Sequence, residues 1–346
     1  MTLSIFHHPD CLMHETGDHP ERAERLSVSL RRLENLTNTQ LPLNAVSWQV
    51  ASAITDEALQ RVHPASYTAM LQAFCASGGG RLDEDTVASA GSEHAARLSA
   101  GCAIDAVNAV LKDQAESALA LCRPPGHHAL PDRSMGFCFY NNAALAVRHA
   151  QAIAGITKVA VIDWDLHHGN GTEAIFYNDP DVLFVSTHQD PNWPGTGALN
   201  DIGTQGGLGT TVNLPMPIGS GDQSYMTVFQ NVIAPAVARF QPELLIVSAG
   251  YDAHWADPLG RLGLSVAGFG TLTREVRALA RQLCEGRLVL VLEGGYDLSA
   301  LSWGLTATAA ALVGAQVADP LGKSPYPEPT AAVDQLIQAA RERHQL

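Results

Sequence analysis

Asp165 and His167 stand two residues apart, directly after an apolar run. In an extended chain, residues i and i+2 face the same side. The pair can therefore aim a carboxylate and an imidazole at one point. Asp252 follows another apolar run and can supply a third group. Three protein ligands plus an open position is the pattern of a catalytic zinc site. One imidazole with two carboxylates suits Zn2+ and also accepts Fe2+, Co2+ or Mn2+. The plainer reading is a salt-bridge cluster tying strand ends together, and a lone Asp-x-His would favour it.

Adjacent histidines, His127 and His128, follow Pro124-Pro125-Gly126, a stiff and tight turn. Imidazole titrates near neutrality, so the pair suits general acid and base work on a water molecule. Each ring needs a partner that orients it. Asp163 and Asn170 are available, one charged and one neutral. A carboxylate partner raises a histidine's pKa more than an amide does, so the two rings could differ in protonation. Capping, packing and extra metal ligation are the competing readings. Tyr296 follows two glycines, which let the backbone turn the phenol into a pocket. There its O–H could stabilise an oxyanion; a core tyrosine is the simpler alternative. Phe137 and Trp193 lie in or beside loops and could wall a narrow apolar channel, or simply pack.

These residues need elements to position them. Ala118–Leu121, Lys158–Trp164, Val182–Thr187, Leu244–Ser248 and Leu288–Leu292 read as strands buried on both faces. A first strand is expected near Ser4–His7. Helices are expected over Asn141–Ala154, Gln223–Phe240, Ser265–Cys284 and Leu298–Val313. Strand alternating with helix implies βαβ units and a mostly parallel sheet. The chemistry-bearing residues follow four of the strands. In open α/β sheets, ligands bind outside the carboxyl ends of the strands. The pattern runs unbroken over about residues 4–317, so residues 1–346 read as a single α/β catalytic domain. Residues 318–329 hold four prolines and read as a surface excursion before a short final helix. Gly78–Gly80 and Arg81–Asp85 read as a flexible loop.

Composition narrows the function. The chain has 346 residues, 46 % hydrophobic and 16 % charged, with a formal net charge of −14. That balance argues against direct nucleic-acid binding, which needs Lys and Arg at phosphates. An acidic field could steer a cationic ligand such as a lysine-rich peptide or a polyamine, or serve solubility alone. No signal peptide or membrane span is visible. Six scattered cysteines without a CxxC read as reduced, buried thiols of a cytoplasmic protein.

Taken together, the motifs resemble the histone deacetylase superfamily, with its single-domain arginase/deacetylase α/β fold. The matching segments are His19–Arg22, Arg123–Ala129, Gly136–Asn142, Asp163–Gly171, Pro194–Gly197, Ala249–Asp252, Asp257–Gly260 and Leu292–Tyr296, in family order. The Glu293–Tyr296 motif and Asn170 resemble the class II branch. That branch includes the bacterial histone deacetylase-like amidohydrolases, beside the acetylpolyamine amidohydrolase group.

The resemblance implies Zn2+ held by Asp165, His167 and Asp252. It makes His128 the main general base and acid and His127 an electrostatic partner. Asp163 pairs with His127 and Asn170 with His128. Tyr296 polarises the substrate carbonyl. Gly136, Phe137 and Trp193 line an acyl-lysine tunnel, with Leu259 near its mouth. Arg22 sits by a channel for departing acetate. The resemblance also implies K+ at Asp163, Asp165, His167, Ser186 and Thr187, and a second K+ on carbonyls of Phe176, Asp179 and Val182. A rim aspartate that grips peptide backbone falls at Asp83 or Asp85.

Three positions depart from the commonest pattern. Asn170 replaces an aspartate, which lowers the basicity expected of His128. Trp193 replaces a phenylalanine. Leu259 stands where the polyamine-preferring branch has an acidic gatekeeper. The expected activity is metal-dependent hydrolysis of an N-acyl amine, with acetyl-lysine of proteins ahead of acetylpolyamines. An arginase-like ureohydrolase would need a second full set of metal ligands. A non-enzymatic acyl-ligand binder is the reading from a different class. A homo-oligomer is compatible with all of these.

Overall fold

A computed structural model of the chain describes residues 2–152 and 155–346. The strands are β1 (Leu3–His7), β2 (Val46–Val50), β3 (Gly79–Arg81), β4 (Val87–Ser89) and β5 (Ser117–Ala120). They continue with β6 (Val159–Asp163), β7 (Val182–Asp190), β8 (Thr211–Pro217), β9 (Leu244–Ala249) and β10 (Leu288–Leu292). Eight of them form one sheet in the order β2-β1-β5-β10-β9-β6-β7-β8. Every neighbouring pair in it is parallel. Parallel strands are covered by their crossover helices on both faces. Accordingly β5, β6, β9 and β10 are buried throughout their lengths.

These four strands are also contiguous in the sheet, although the chain visits them far apart. Asp163, last in β6, pairs with Ser248 of β9, and Ala249 pairs with Leu292, last in β10. Their carboxyl ends are therefore level, and the polar segments that follow them converge on one crevice.

The strands expected from the sequence are all present, with ends shifted by a few residues. Two edge strands escape the pattern. β2 is mostly exposed, so it lacks a buried run. β8 contains Pro215 and Pro217, which an edge strand tolerates because its outer N–H groups need no partner. The helix expected at Asn141–Ala154 spans Asn142–Ala152, and its expected end lies outside the described residues. The stretch expected as one helix from Gln223 carries a π turn at Phe229–Ile233. Pro235, which has no N–H to donate, follows directly.

The segment Gly78–Asp85, expected to be a flexible loop, is ordered instead. β3 pairs antiparallel with β4 as a small hairpin. Asp83 closes its turn by accepting from the Asp85 and Thr86 N–H groups. The residues after Leu312 form the expected proline-rich excursion, followed by a helix over Thr330–His344. All six cysteines are buried and free. Among the described residues, no helix is long and apolar enough to cross a membrane.

Candidate active site and metal centre

At the floor of the crevice, the carboxylates of Asp165 and Asp252 and the imidazole of His167 offer ligand atoms within 4.8 Å of one another. The Nδ1 atom of His167 lies 3.3 Å from Asp165 Oδ1 and 3.3 Å from Asp252 Oδ2. Both carboxylates are fully buried. Asp252 Oδ2 accepts no aligned hydrogen bond there. Burial and the nearby Asp165 charge push the Asp252 carboxyl up to about 6. Two buried acids sharing one imidazole, with an orphaned oxygen between them, fit a divalent cation. Among the described residues, no second cluster of three such side chains occurs.

The backbone of β10 leaves room for this cluster. A Cβ on Gly294 would stand 2.2 Å from Asp252 Oδ2 and 2.5 Å from Asp165 Oδ2. Only glycine lets the strand end approach so closely, and the Gly294 N–H donates to Asp165 Oδ2 at 2.8 Å.

The His127 and His128 rings pack together at a tilt of 40°, centroids 3.9 Å apart, yet their environments differ. His127 Nδ1–H donates to Asp163 Oδ2 at 2.9 Å, and its Nε2 lies 3.7 Å from Asp165 Oδ1. Burial alone would lower its pKa. The Asp163 and Asp165 charges outweigh burial and hold it well above the ordinary value. His128 is buried as well, but its Nδ1–H donates to the neutral Asn170 Oδ1 at 2.8 Å. The Asn170 amide nitrogen is turned the other way, toward the Met135 sulfur. Burial, then the neighbouring His127 and His167 charges, drive His128 well below the ordinary value. The result is one charged imidazole beside one neutral imidazole whose Nε2 lone pair is free. The second is the better base.

A cavity of about 220 Å³ leads from this floor to the surface, lined by His128, Gly136, Phe137, His167, Trp193, Tyr296, Leu259, Asn192 and Asp85. Trp193 sets its ring edge-on to His128 at 4.7 Å, and Phe137 does so to Tyr296 at 5.8 Å. Gly136 adopts φ +55°, and a Cβ there would meet both His128 and Trp193 at 2.5 Å. A side chain at this position would close the channel. Burial keeps the Tyr296 phenol protonated, hence a donor.

His127, His128, Gly136, Phe137, Asp163, Asp165, His167, Asn170, Trp193, Asp252, Leu259 and Tyr296 come together around this cavity, and Arg22 does not. Arg22, expected by the channel, is only half-buried and points to no part of this cavity. Arg25 takes the interior place. Its guanidinium donates to the carbonyls of Gly295 at 2.6 Å and Glu293 at 2.5 Å, and it lies 5.0 Å from the centre of the Tyr296 ring. Arg22 precedes the helix that begins at Glu24, whereas Arg25 lies in its first turn and is buried. The two candidate rim aspartates also separate. Asp83 is used within its own turn, whereas Asp85 lines the mouth. Ser186 and Thr187 are buried beside the floor, with Thr187 Oγ1–H donating to the Asp163 carbonyl. Phe176, Asp179 and Val182 lie together where the Asn170–Phe176 helix runs into β7.

Glu293 received no role from the sequence. It is fully buried, and its Oε2 accepts the N–H groups of Gly126 at 2.7 Å and His127 at 3.1 Å. It therefore anchors the turn that carries both histidines. Its place in a strand-end Glu-Gly-Gly-Tyr motif was the available signal.

The "Histone deacetylase domain" family model matches residues 19–312. The chain belongs to the histone deacetylase family. A "Histone deacetylase-like amidohydrolase" of Pseudomonas aeruginosa is 46 % identical over 77 % of this chain and 70 % of its own. A "Probable deacetylase" of Archaeoglobus fulgidus is 42 % identical over 86 % of this chain and 82 % of its own. The solved "HDA15 HD domain" superposes with a TM-score of 0.88 at 34 % identity, covering 99 % of this chain and 95 % of that one. The chain is thus a histone deacetylase-family amidohydrolase, of a family that acts on acetylated amides and is expected to use a metal.

Proposed function

We propose that the protein hydrolyses N-ε-acetyl-lysine in peptides or proteins, with Zn2+ at Asp165, His167 and Asp252. The supporting observation is the pairing of a neutral His128 with this buried triad at the end of a narrow, aromatic-lined cavity. Bound at the triad, the cation supplies Lewis acidity toward an acyl carbonyl and lowers the pKa of a water. The lysine stem would run between Phe137 and Trp193, whose rings exclude water from the reacting carbonyl. His128 Nε2 takes a proton from the attacking water. The Tyr296 hydroxyl donates to the oxygen that gains charge. His128, or the charged His127, returns a proton to the leaving amine. Acetate leaves past Arg25 rather than Arg22. K+ at the Asp163–Thr187 cluster and at the Phe176–Val182 turn belongs to the same reading.

Leu259 gives the mouth an apolar side chain where a small polycation would profit from an acidic one, which favours acyl-lysine over acetylpolyamine. The test is amine release by the Zn2+-loaded protein from an acetyl-lysine peptide, a longer acyl-lysine peptide and acetylputrescine in parallel. The peptide with acetyl-lysine is expected to react fastest. Cleavage of acetylputrescine alone would overturn the substrate assignment and keep the chemistry.

A further inference from the structure

The active-site cavity does not end at its mouth. Asn192 and Leu259 line it on one side and line a second hollow of about 360 Å³ on the other. That hollow continues over Gln189, Pro191, Ile218, Pro258, Gly260 and Arg261. Ile218, Gly260 and Arg261 also line a third hollow of about 510 Å³, walled by Trp255, Tyr326, Pro327 and the largely buried Asp257. Together they make a groove leading from the mouth to the proline-rich excursion. The excursion is fastened in place. The Trp255 Nε1–H donates to the Gly322 carbonyl at 3.0 Å, and Glu328 accepts the N–H groups of Gln223 and Ser224.

The groove has one cation, common to its second and third hollows. Arg261 is exposed, and its guanidinium takes part in no ion pair among the described residues. Its backbone is fixed, with its N–H donating to Gln189 Oε1 at 2.6 Å and its carbonyl accepting from Gly219. The side chain therefore projects from a held point. On the other side of the cavity, the rim carries Asp85. On a protein of net charge −14, Arg261 presents an exposed positive charge beside the active-site mouth, while the groove's one carboxylate, Asp257, is buried and occupied by backbone N–H groups. The Arg261 charge meets anions and disfavours polycations. Exposed Tyr326 and Ile218 offer apolar contact beside it.

We propose that this groove binds the chain of a peptide substrate beyond its acetyl-lysine, and that Arg261 selects an acidic residue there. The proposal rests on the acetyl-lysine reading above and narrows it to acetyl-lysine with Asp or Glu nearby. The acetyl-lysine itself is held by the tunnel, and the groove adds affinity and choice of sequence.

The experiment compares acetyl-lysine peptides carrying Glu, Gln or Lys at successive positions on either side of the acetyl-lysine. Each kcat/KM is divided by that of a capped acetyl-lysine amide too short to reach Arg261. Wild type, Arg261→Gln and Arg261→Glu are measured, each loaded with Zn2+. For wild type, Glu at one of these positions is expected to exceed Gln about fivefold, mainly through KM, and to lose that advantage in high salt. Arg261→Gln is expected to abolish the preference, and Arg261→Glu to shift it to Lys. A wild type indifferent to these charges, or a preference that survives both substitutions, overturns the groove proposal and leaves the acetyl-lysine reading intact. Turnover of acetylputrescine without turnover of the capped acetyl-lysine overturns both.

Discussion

Asp257 accepts the backbone N–H of Tyr296 at 2.7 Å, and through the same oxygen that of Asp297 at 3.1 Å. Its other oxygen accepts the Leu259 N–H at 3.0 Å. One buried carboxylate thus joins the loop at the cavity mouth to the loop that carries the phenol. Asp257 is a positioning residue. Its loss frees two backbone turns at once, and small displacements of a reacting group are costly. Asp257→Ala is expected to lower kcat by about 10- to 100-fold. Zn2+ stoichiometry should stay at wild-type level, measured on the same preparation. Loss of metal together with activity would show that Asp257 supports the triad rather than Tyr296.

Tyr296 and His128 can be separated by their kinetics. Tyr296→Phe removes one donor to the developing oxyanion and is expected to cost about 100-fold in kcat. His128→Ala removes the neutral base and should cost more, with metal still bound. An active Tyr296→Phe enzyme would remove the phenol from the mechanism. A metal-free His128→Ala protein would make His128 a ligand.

Gly136 tests the width of the channel. Gly136→Ala puts a methyl against His128 and Trp193, and strains a backbone at φ +55°. Turnover of acetyl-lysine peptides is expected to fall at least tenfold, because the stem can no longer pass. Binding of Zn2+, read by calorimetry, should be retained.

The site was more legible than the frame around it. Strand ends such as Asp163-Trp164-Asp165-Leu166-His167 announce themselves, since polar residues directly after a buried run have few structural uses. The four central strands were legible for the same reason, being buried at every position and apolar at all but Ser117, Asp163 and Ser248. β2 was not, because it is mostly exposed, and β8 was not, because Thr211, Asn213, Pro215 and Pro217 interrupt its apolar residues. The β3–β4 hairpin was hidden by its glycines, which look like slack chain until Asp83 closes the turn. Arg25 was missed for a different reason. Arg22 and Arg25 have similar sequence contexts, and only the helix that begins at Glu24 decides which one faces inward. Contacts such as Glu293 to the Gly126 N–H join residues 167 apart, and no local pattern encodes them.

The metal centre should also be visible in stability. Without a cation, the charges of the Asp165 and Asp252 carboxylates are held close together in a buried site. A ligand that binds only the folded chain stabilises it by mass action. Adding Zn2+ to chelator-treated protein is expected to raise Tm by several degrees and to restore turnover at about one ion per chain. Asp252→Asn should lose most of both responses. An unchanged Tm on metal addition would speak against the triad as a metal site.

Acid stability reports on the arginine cluster behind the site. Glu21 is fully buried and accepts from Arg123 Nε at 2.8 Å and Arg25 Nη1 at 3.0 Å. Burial alone would raise its pKa. Arg123 first, then the hydrogen bond from His14 and the charge of Arg25, hold it well below the usual carboxylate range. A folded-state pKa below the unfolded one, about 4.3 for glutamate, gives stability that is complete above that value. It is lost as pH falls from there through the folded value. Wild-type protein is therefore expected to lose stability steeply below about pH 4. Glu21→Gln leaves two buried guanidinium groups without their counter-charge, and should cost about 3 kcal/mol at neutral pH. Its denaturant midpoint should then vary less between pH 5 and pH 2 than that of wild type, since the titrating group is gone. Equal pH dependence in the two proteins would show that other carboxylates govern acid unfolding.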